Sequence, residues 1–437
     1  RDPRHDGVPM NAACKGASLL HTGALLAALA ACGTGTVRQE PPVSDAGKPD
    51  GTAGSKCLTL PTWELPVPKP SLPVKPGVLW RRKVAEYSGS MNVGTVGFLV
   101  RSGNQLAVTY LGKLRVFDLE ARPLWESPTI DSHTGISGAA ADTDGNYYQF
   151  LDKLVSYSPT GALRWSKPLP NMGLGGTHFA LHAAIRGNTD LFFRGADGSV
   201  RRVDARTGQT VWESSTTARG KSLLAAGNGV WNNDGTFWDA TTGEKTEASR
   251  DGHSYSPVAT THDGRLWALD RFNDGYRSVL LDACFRPLTA PRPLDIVAPP
   301  AVDLRERLWE VTGEPPLSQL LSAEAVVVSP KPMKNRPLLL GGDGLVYSES
   351  LIPEGAGYRS ELHIQTETGA EVETIDVPGG FVGLDLTLGD DGVMHSTFLQ
   401  KDGLYIVAIQ TQSPGIADAP LPMALSDNRR SGWPKAH

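Results

Sequence analysis

The nine residues Asp204-Ala205-Arg206-Thr207-Gly208-Gln209-Thr210-Val211-Trp212 decide how this chain folds. Their spacing predicts a tight turn between two short strands. Asp and Thr side chains can hydrogen-bond main-chain N–H groups nearby, and Gly supplies a positive φ. Trp212 then stands on the second strand, where its ring can pack between neighbouring sheets. The Gly-x-x-x-Trp spacing returns at Gly161 to Trp165. In Leu114 to Trp125 the Gly is Ala121, and the Trp keeps its place. Asp239-Ala240-Thr241-Thr242-Gly243 and Thr368-Gly369 keep the turn and lose the Trp.

Upstream of each such turn lies a second signal. Gly-Asn pairs begin at residues 103, 145, 187 and 227, spacings of 42, 42 and 40. Asp-Gly pairs continue the series at Asp263-Gly264, Asp343-Gly344 and Asp391-Gly392, and Arg305-Glu306 stands where another is expected. These dipeptides suit hairpin turns, and short apolar runs such as Leu191-Phe192-Phe193 flank them. Four strands in about 40 residues make one propeller blade. The expectation is an all-β chain, a β-propeller of four-stranded blades, eight in number with seven as the alternative. The eighth blade lacks an obvious fourth strand, which Gly77 to Val84 can supply from the other end of the chain, so that no edge is left open.

The repeat resembles the pyrroloquinoline-quinone-like (PQQ-like) propeller family, with its D-x-x-T-G-x-x-x-W turn. The resemblance covers about residues 78 to 410 and weakens over 298–330, where the turn-Trp motif is missing and Leu317 to Ala325 reads as a helix candidate. Family quinoproteins carry an adjacent cysteine pair and a calcium site with a catalytic aspartate. No Cys-Cys occurs here and no acidic residue matches that aspartate, so no cofactor, catalytic residue or metal ligand is carried over with the fold. Envelope members of the family include the lipoprotein of the outer-membrane protein assembly machinery. The resemblance thus implies a non-catalytic, monomeric scaffold whose partners are protein or peptide segments. The alternative is an enzyme or quinoprotein-type oxidoreductase with a site in the central funnel.

Residues 10–32 read as a lipoprotein signal peptide. Lys15 supplies the charge, and the apolar stretch Ala17 to Ala28 is too short to span a bilayer. Leu29-Ala30-Ala31-Cys32 looks like a lipobox, which makes Cys32 the lipidated residue, and Gly33 after it favours the outer membrane by resemblance to such lipoproteins. The protein would then face the periplasm or the cell surface, touching membrane through its lipid alone. Residues 33–76 form a Pro/Gly-rich tether, its proline-rich part from Leu58 extended against the body, and 77–437 the propeller. Of four cysteines, Cys14 and Cys32 belong to the leader. An oxidising compartment suggests a Cys57–Cys284 bridge, the alternative being two separate thiols.

The chain ends Trp433-Pro434-Lys435-Ala436-His437 and begins Arg1-Asp2-Pro3-Arg4-His5-Asp6-Gly7. Joined, these resemble a W-P-x4-D motif near the ends of bacterial family members. Residues 1–9 are therefore expected to be a native C-terminal tail displaced by rotation of the chain, with Met10 the native start.

Other patterns carry less chemistry. A net charge of −5 gives no reason to expect nucleic acid. Asp142-Thr143-Asp144-Gly145-Asn146 looks like part of a calcium loop but lacks the late bidentate Glu, and the same place is a hairpin turn in other repeats. His178 and His182 stand four apart, which in a strand puts them on one face but too far apart for one ion. His253 and His262 flank a strand without a carboxylate pattern nearby. No G-x-S-x-G, P-loop or H-E-x-x-H occurs.

Overall fold

The computed structural model describes residues 57, 59–60, 62–86, 96–129, 138–150, 153–168, 184–194, 199–214, 223–226, 228–232, 236–247, 249–250, 253–272, 275–294, 301–312, 317–321, 337–354, 357–377, 386–400 and 402–417. The leader, Cys32, residues 1–9, His178, His182 and the C-terminal motif lie outside them. Among the described residues the secondary structure is all strand, and no helix is long and apolar enough to cross a membrane.

The strands form antiparallel sheets that follow one another along the chain. The first joins Val96–Ser102, Gln105–Tyr110, Lys113–Asp118 and Pro123–Glu126; the second runs from Gly138 to Pro168, the third from Ala184 to Ser214 and the fourth from Leu223 to Glu247. Each of these has four strands in chain order. The fifth, Ser249 to Leu294, has five strands, and the sixth, Ala301 to Leu321, has three. The seventh, Pro337 to Val377, again has four. The eighth takes Leu386–Leu388, Val393–Gln400 and Gly403–Gln410, and its outer strand is Gly77–Glu86 from the far end of the chain. That strand pairs antiparallel with Gly403–Gln410, from Gly77↔Gln410 to Glu86↔Gly403. The fold is an all-β propeller of four-stranded blades.

One expectation is corrected here. Leu317–Leu321 is a strand, not part of a helix. It pairs residue for residue with Leu308–Thr312, and sheet pairing overrides local helix preference.

The core lies between sheets. Leu191 and Phe193 pack against Ala140, Tyr148 and Leu154 of the second sheet. Phe192, pointing the other way, packs with Val230 and Trp238 of the fourth. This is why the strands read as continuous apolar runs: both faces are buried. Leu99, Leu106 and Val108 of the first sheet cluster with Ala85, Leu404 and Ile406 of the eighth, so the last sheet seals against the first.

The turn motif has a double purpose. Asp204 Oδ1 accepts N–H groups of Arg206 and Thr207 at 2.9 and 2.8 Å and the Thr207 hydroxyl at 3.1 Å, and Asp239 repeats all three bonds. Gly161, Gly208 and Gly243 take φ of 84°, 72° and 73°. Each lies beneath the tryptophan of the preceding sheet: a Cβ there would come 2.7 Å from the ring of Trp125, Trp165 or Trp212 respectively. Those indoles donate Nε1–H to the carbonyls of Pro159, Ala205 and Ala240 in the same turns. The repeat therefore encodes the contact between blades as well as the turn within one. Gly208→Ala should lower stability by about 1–3 kcal/mol through strain and overpacking. Gly187→Ala, at φ 59° with nothing within 4 Å of its Cβ, should cost less. Urea midpoints of the two variants check this; equal losses would show that the indole contact adds nothing.

Candidate functional site

Among the described residues five sheets share one form of hairpin, Asp142–Asn146, Thr261–Arg265, Asp303–Arg307, Gly341–Leu345 and Gly389–Val393, joining the first two strands except in the fifth sheet, where it joins the second and third. In each, the first N–H donates to the fifth residue's carbonyl, and the fourth N–H returns to the first carbonyl, at 2.8–3.2 Å. The fourth residue takes a positive φ, which Gly145, Gly264, Gly344 and Gly392 accept freely. In the sixth sheet that residue is Glu306, at φ 60°.

A proline-rich strap that joins no sheet meets three of these hairpins, Thr261–Arg265, Gly341–Leu345 and Gly389–Val393. It is pinned at its start by the Cys57–Cys284 disulfide, whose Cα atoms are 4.3 Å apart. Trp63 donates its N–H to His262 O at 3.1 Å and Lys69 donates to Gly342 O at 2.9 Å, the same position in two hairpins. Leu72 N–H donates to Gln412 O at 2.6 Å, and Gln412 Nε2 donates to Val74 O at 3.2 Å. The Ser71 hydroxyl reaches Asp343 at 3.2 Å. Side chains of the strap sit over the turn glycines: a Cβ on Gly264 would lie 3.8 Å from Leu60, one on Gly344 3.7 Å from Pro68, and one on Gly392 2.8 Å from Leu72. Leu60 also packs on the cluster of Trp231, Tyr255 and Phe285.

Where the strap begins, two hairpins are latched together. The Glu306 carboxylate, almost fully buried, accepts the main-chain N–H of His262 and lies 2.7 Å from His262 Nδ1. Glu306 O accepts Trp267 Nε1–H at 2.8 Å. Burial pushes the Glu306 carboxyl above its ordinary range, against the opposing pull of the His262 hydrogen bonds. Holding a glutamate at positive φ carries strain, and these bonds offset it. Glu306→Ala should keep the strain and lose the bonds, costing about 2 kcal/mol or more, whereas Glu306→Gly should recover part of the loss; thermal melts of the two check the ranking.

His262, Asp263 and Glu306 each place one possible ligand atom within 4.8 Å of the others. The Glu306 carboxylate already takes His262, and the Asp263 carboxylate takes the Thr261 hydroxyl at 2.7 Å and Arg265 Nε at 2.8 Å. A guanidinium on that carboxylate opposes a cation, so the group reads as a latch. His262 therefore does have a carboxylate partner, brought from 44 residues away, and the misplaced glutamate at 306 is the only sequence sign of it. His253 opens the strand His253–Thr260 and pairs through its main chain with Arg250. Asp142 spends its oxygens on the hairpin: Oδ1 accepts from Asp144 N and Asn146 N, Oδ2 from Asn146 Nδ2 and the Tyr148 hydroxyl. A turn accounts for the Asp142–Asn146 pattern.

Residues 111–250 match the family described as outer membrane protein assembly factor BamB. Among solved structures, BamB from Moraxella catarrhalis is similar at 15% identity and a TM-score of 0.52, covering 77% of this chain and all of that one. The computationally designed Ika8 protein (16%, TM-score 0.47, 74% of this chain and 98% of that one) and U3-55K (14%, 0.44, 77% and 100%) also align. No curated protein matches the chain significantly in sequence. The repeated turn, the indole-on-glycine contacts between sheets and the match over 111–250 make this chain a PQQ-like repeat β-propeller.

Proposed function

We propose that the chain is a non-catalytic, monomeric scaffold of a bacterial cell envelope that binds protein segments. The match of residues 111–250 to an outer membrane protein assembly factor carries this reading. In this reading the ring has eight blades, with the five-stranded and three-stranded sheets each filling one place; the eight sheets among the described residues support that count. In the same reading the protein is held at the outer membrane by lipid on Cys32, with residues 33–76 as its tether. A single fatty chain binds weakly, so stable anchoring needs several chains on the cysteine. In-cell crosslinking of the tagged full chain, followed by purification from envelope fractions, tests the scaffold role. Recovery of defined envelope proteins supports it; a calcium-dependent quinone cofactor bound in the funnel would replace it with the enzyme reading. Cys32→Ser should abolish lipid labelling and move the protein to the soluble fraction. Unchanged membrane fractionation of that variant would refute the anchor.

A further inference from the structure

The strap meets the propeller as a bound peptide would. It contributes no strand, yet its main-chain donors and apolar side chains between them engage the hairpins of the fifth, seventh and eighth sheets. Leu60 lies over Gly264 and Pro68 over Gly344, eight residues for two hairpins; Leu72 lies over Gly392, four residues for one. A proline-rich segment favours polyproline II, which rises about 3.1 Å per residue, so four residues carry the chain about 12 Å from one blade to the next. Pro66, Pro68, Pro70, Pro73 and Pro76 stiffen the segment and leave few main-chain donors. Trp63, Lys69 and Leu72 supply donors that reach His262, Gly342 and Gln412.

We propose that this face of the fifth to eighth sheets is a docking groove for proline-rich extended segments. The partner it fits carries apolar side chains eight and then four residues apart, and the described residues between 59 and 76 are its resident occupant. The resident segment argues for the partner's chemistry: glycine turns that accept a leucine or proline side chain, and carbonyls placed for single donors. The disulfide holds the occupant at one end, and tethering gives it a millimolar effective concentration against which a partner must compete. This rests on the scaffold reading and sharpens it by naming the face and the chemistry of the segment bound.

The test uses the full chain and a fluorescein-labelled peptide of residues 59–76, read by fluorescence polarisation. The disulfide-bonded protein should bind it poorly. A variant with Cys57→Ser, Cys284→Ser, Leu60→Asp and Leu72→Asp frees the groove and should bind at least tenfold tighter. A peptide with aspartate at the Leu60 and Leu72 positions should lose that gain. A folded variant that binds the peptide no better than a scrambled peptide of the same composition overturns the proposal. If the variant does not fold, hydrogen exchange on the reduced native chain decides instead. Millimolar peptide should speed exchange of the Trp63, Lys69 and Leu72 amides at least twofold while sheet amides stay protected, and unchanged exchange overturns the groove. Either failure leaves the scaffold reading intact, because crosslinking in the envelope tests that separately.

Discussion

Cys57→Ser/Cys284→Ser is expected to lower the unfolding free energy by about 2–5 kcal/mol. The bond links residues 227 apart in sequence. In the unfolded chain it closes a loop of that length and removes conformational freedom, and the gain rises only slowly with loop size. In the folded chain the bond is needed at one point only, because the rest of the strap is held by its own hydrogen bonds. The loss should therefore appear mainly as an easier global transition, with early fraying confined to the strap. Urea unfolding followed by tryptophan fluorescence measures it. Reductant added to the native protein should reproduce the double variant's midpoint, and reductant added to the double variant should change nothing. A midpoint unmoved by either treatment would show that the strap contacts alone carry the stabilisation.

Acid should weaken the seal between the last and first sheets through His395. This histidine is fully buried on Val393–Gln400. Its Nε2–H donates to Leu119 O at 3.2 Å, its ring lies 5.7 Å from that of Trp80, and Nδ1 meets no hydrogen-bond partner among the described residues. Arg101 stands beside it, paired with Asp391 at 3.1 Å. Burial first, then the positive charge of Arg101, lower the His395 pKa from 6.5 to about 4. The folded state thus binds fewer protons than the unfolded one between those values. Stability from this site is complete above pH 6.5, falls as the pH drops toward 4, and changes no further below that. The full loss is roughly 3 kcal/mol, from about 1.4 kcal/mol per pKa unit. Comparing wild type with His395→Gln by urea unfolding from pH 7 to 4 isolates the contribution. The wild type should lose more over that window; parallel pH profiles would remove His395 from the seal.

The sequence was most legible where a physical demand is local. A positive φ beside a capping Asp and Thr needs only a few residues, so the turn around Gly208 announces itself wherever it recurs. Apolar runs such as Leu191 to Phe193 announce burial on both faces. The outer-strand character of Gly77 to Val84 was readable for the same reason, and the pairing of Cys57 with Cys284 was one of two readings the cysteines allowed. Tertiary structure decided what depends on partners far along the chain. Leu317–Leu321 became a strand because Leu308–Thr312 offered it a ladder. Glu306 could occupy a glycine's place because His262, brought beside it from the neighbouring hairpin, hydrogen-bonds its buried carboxyl group through main chain and ring. The seat of the strap depends on hairpins from three sheets, and the neutrality of His395 on the burial that the last sheet's seal provides. Strand and turn signals survive in a linear reading because their causes lie within a few residues. A latch, a groove and a shifted pKa do not, because their causes come together only when distant segments pack.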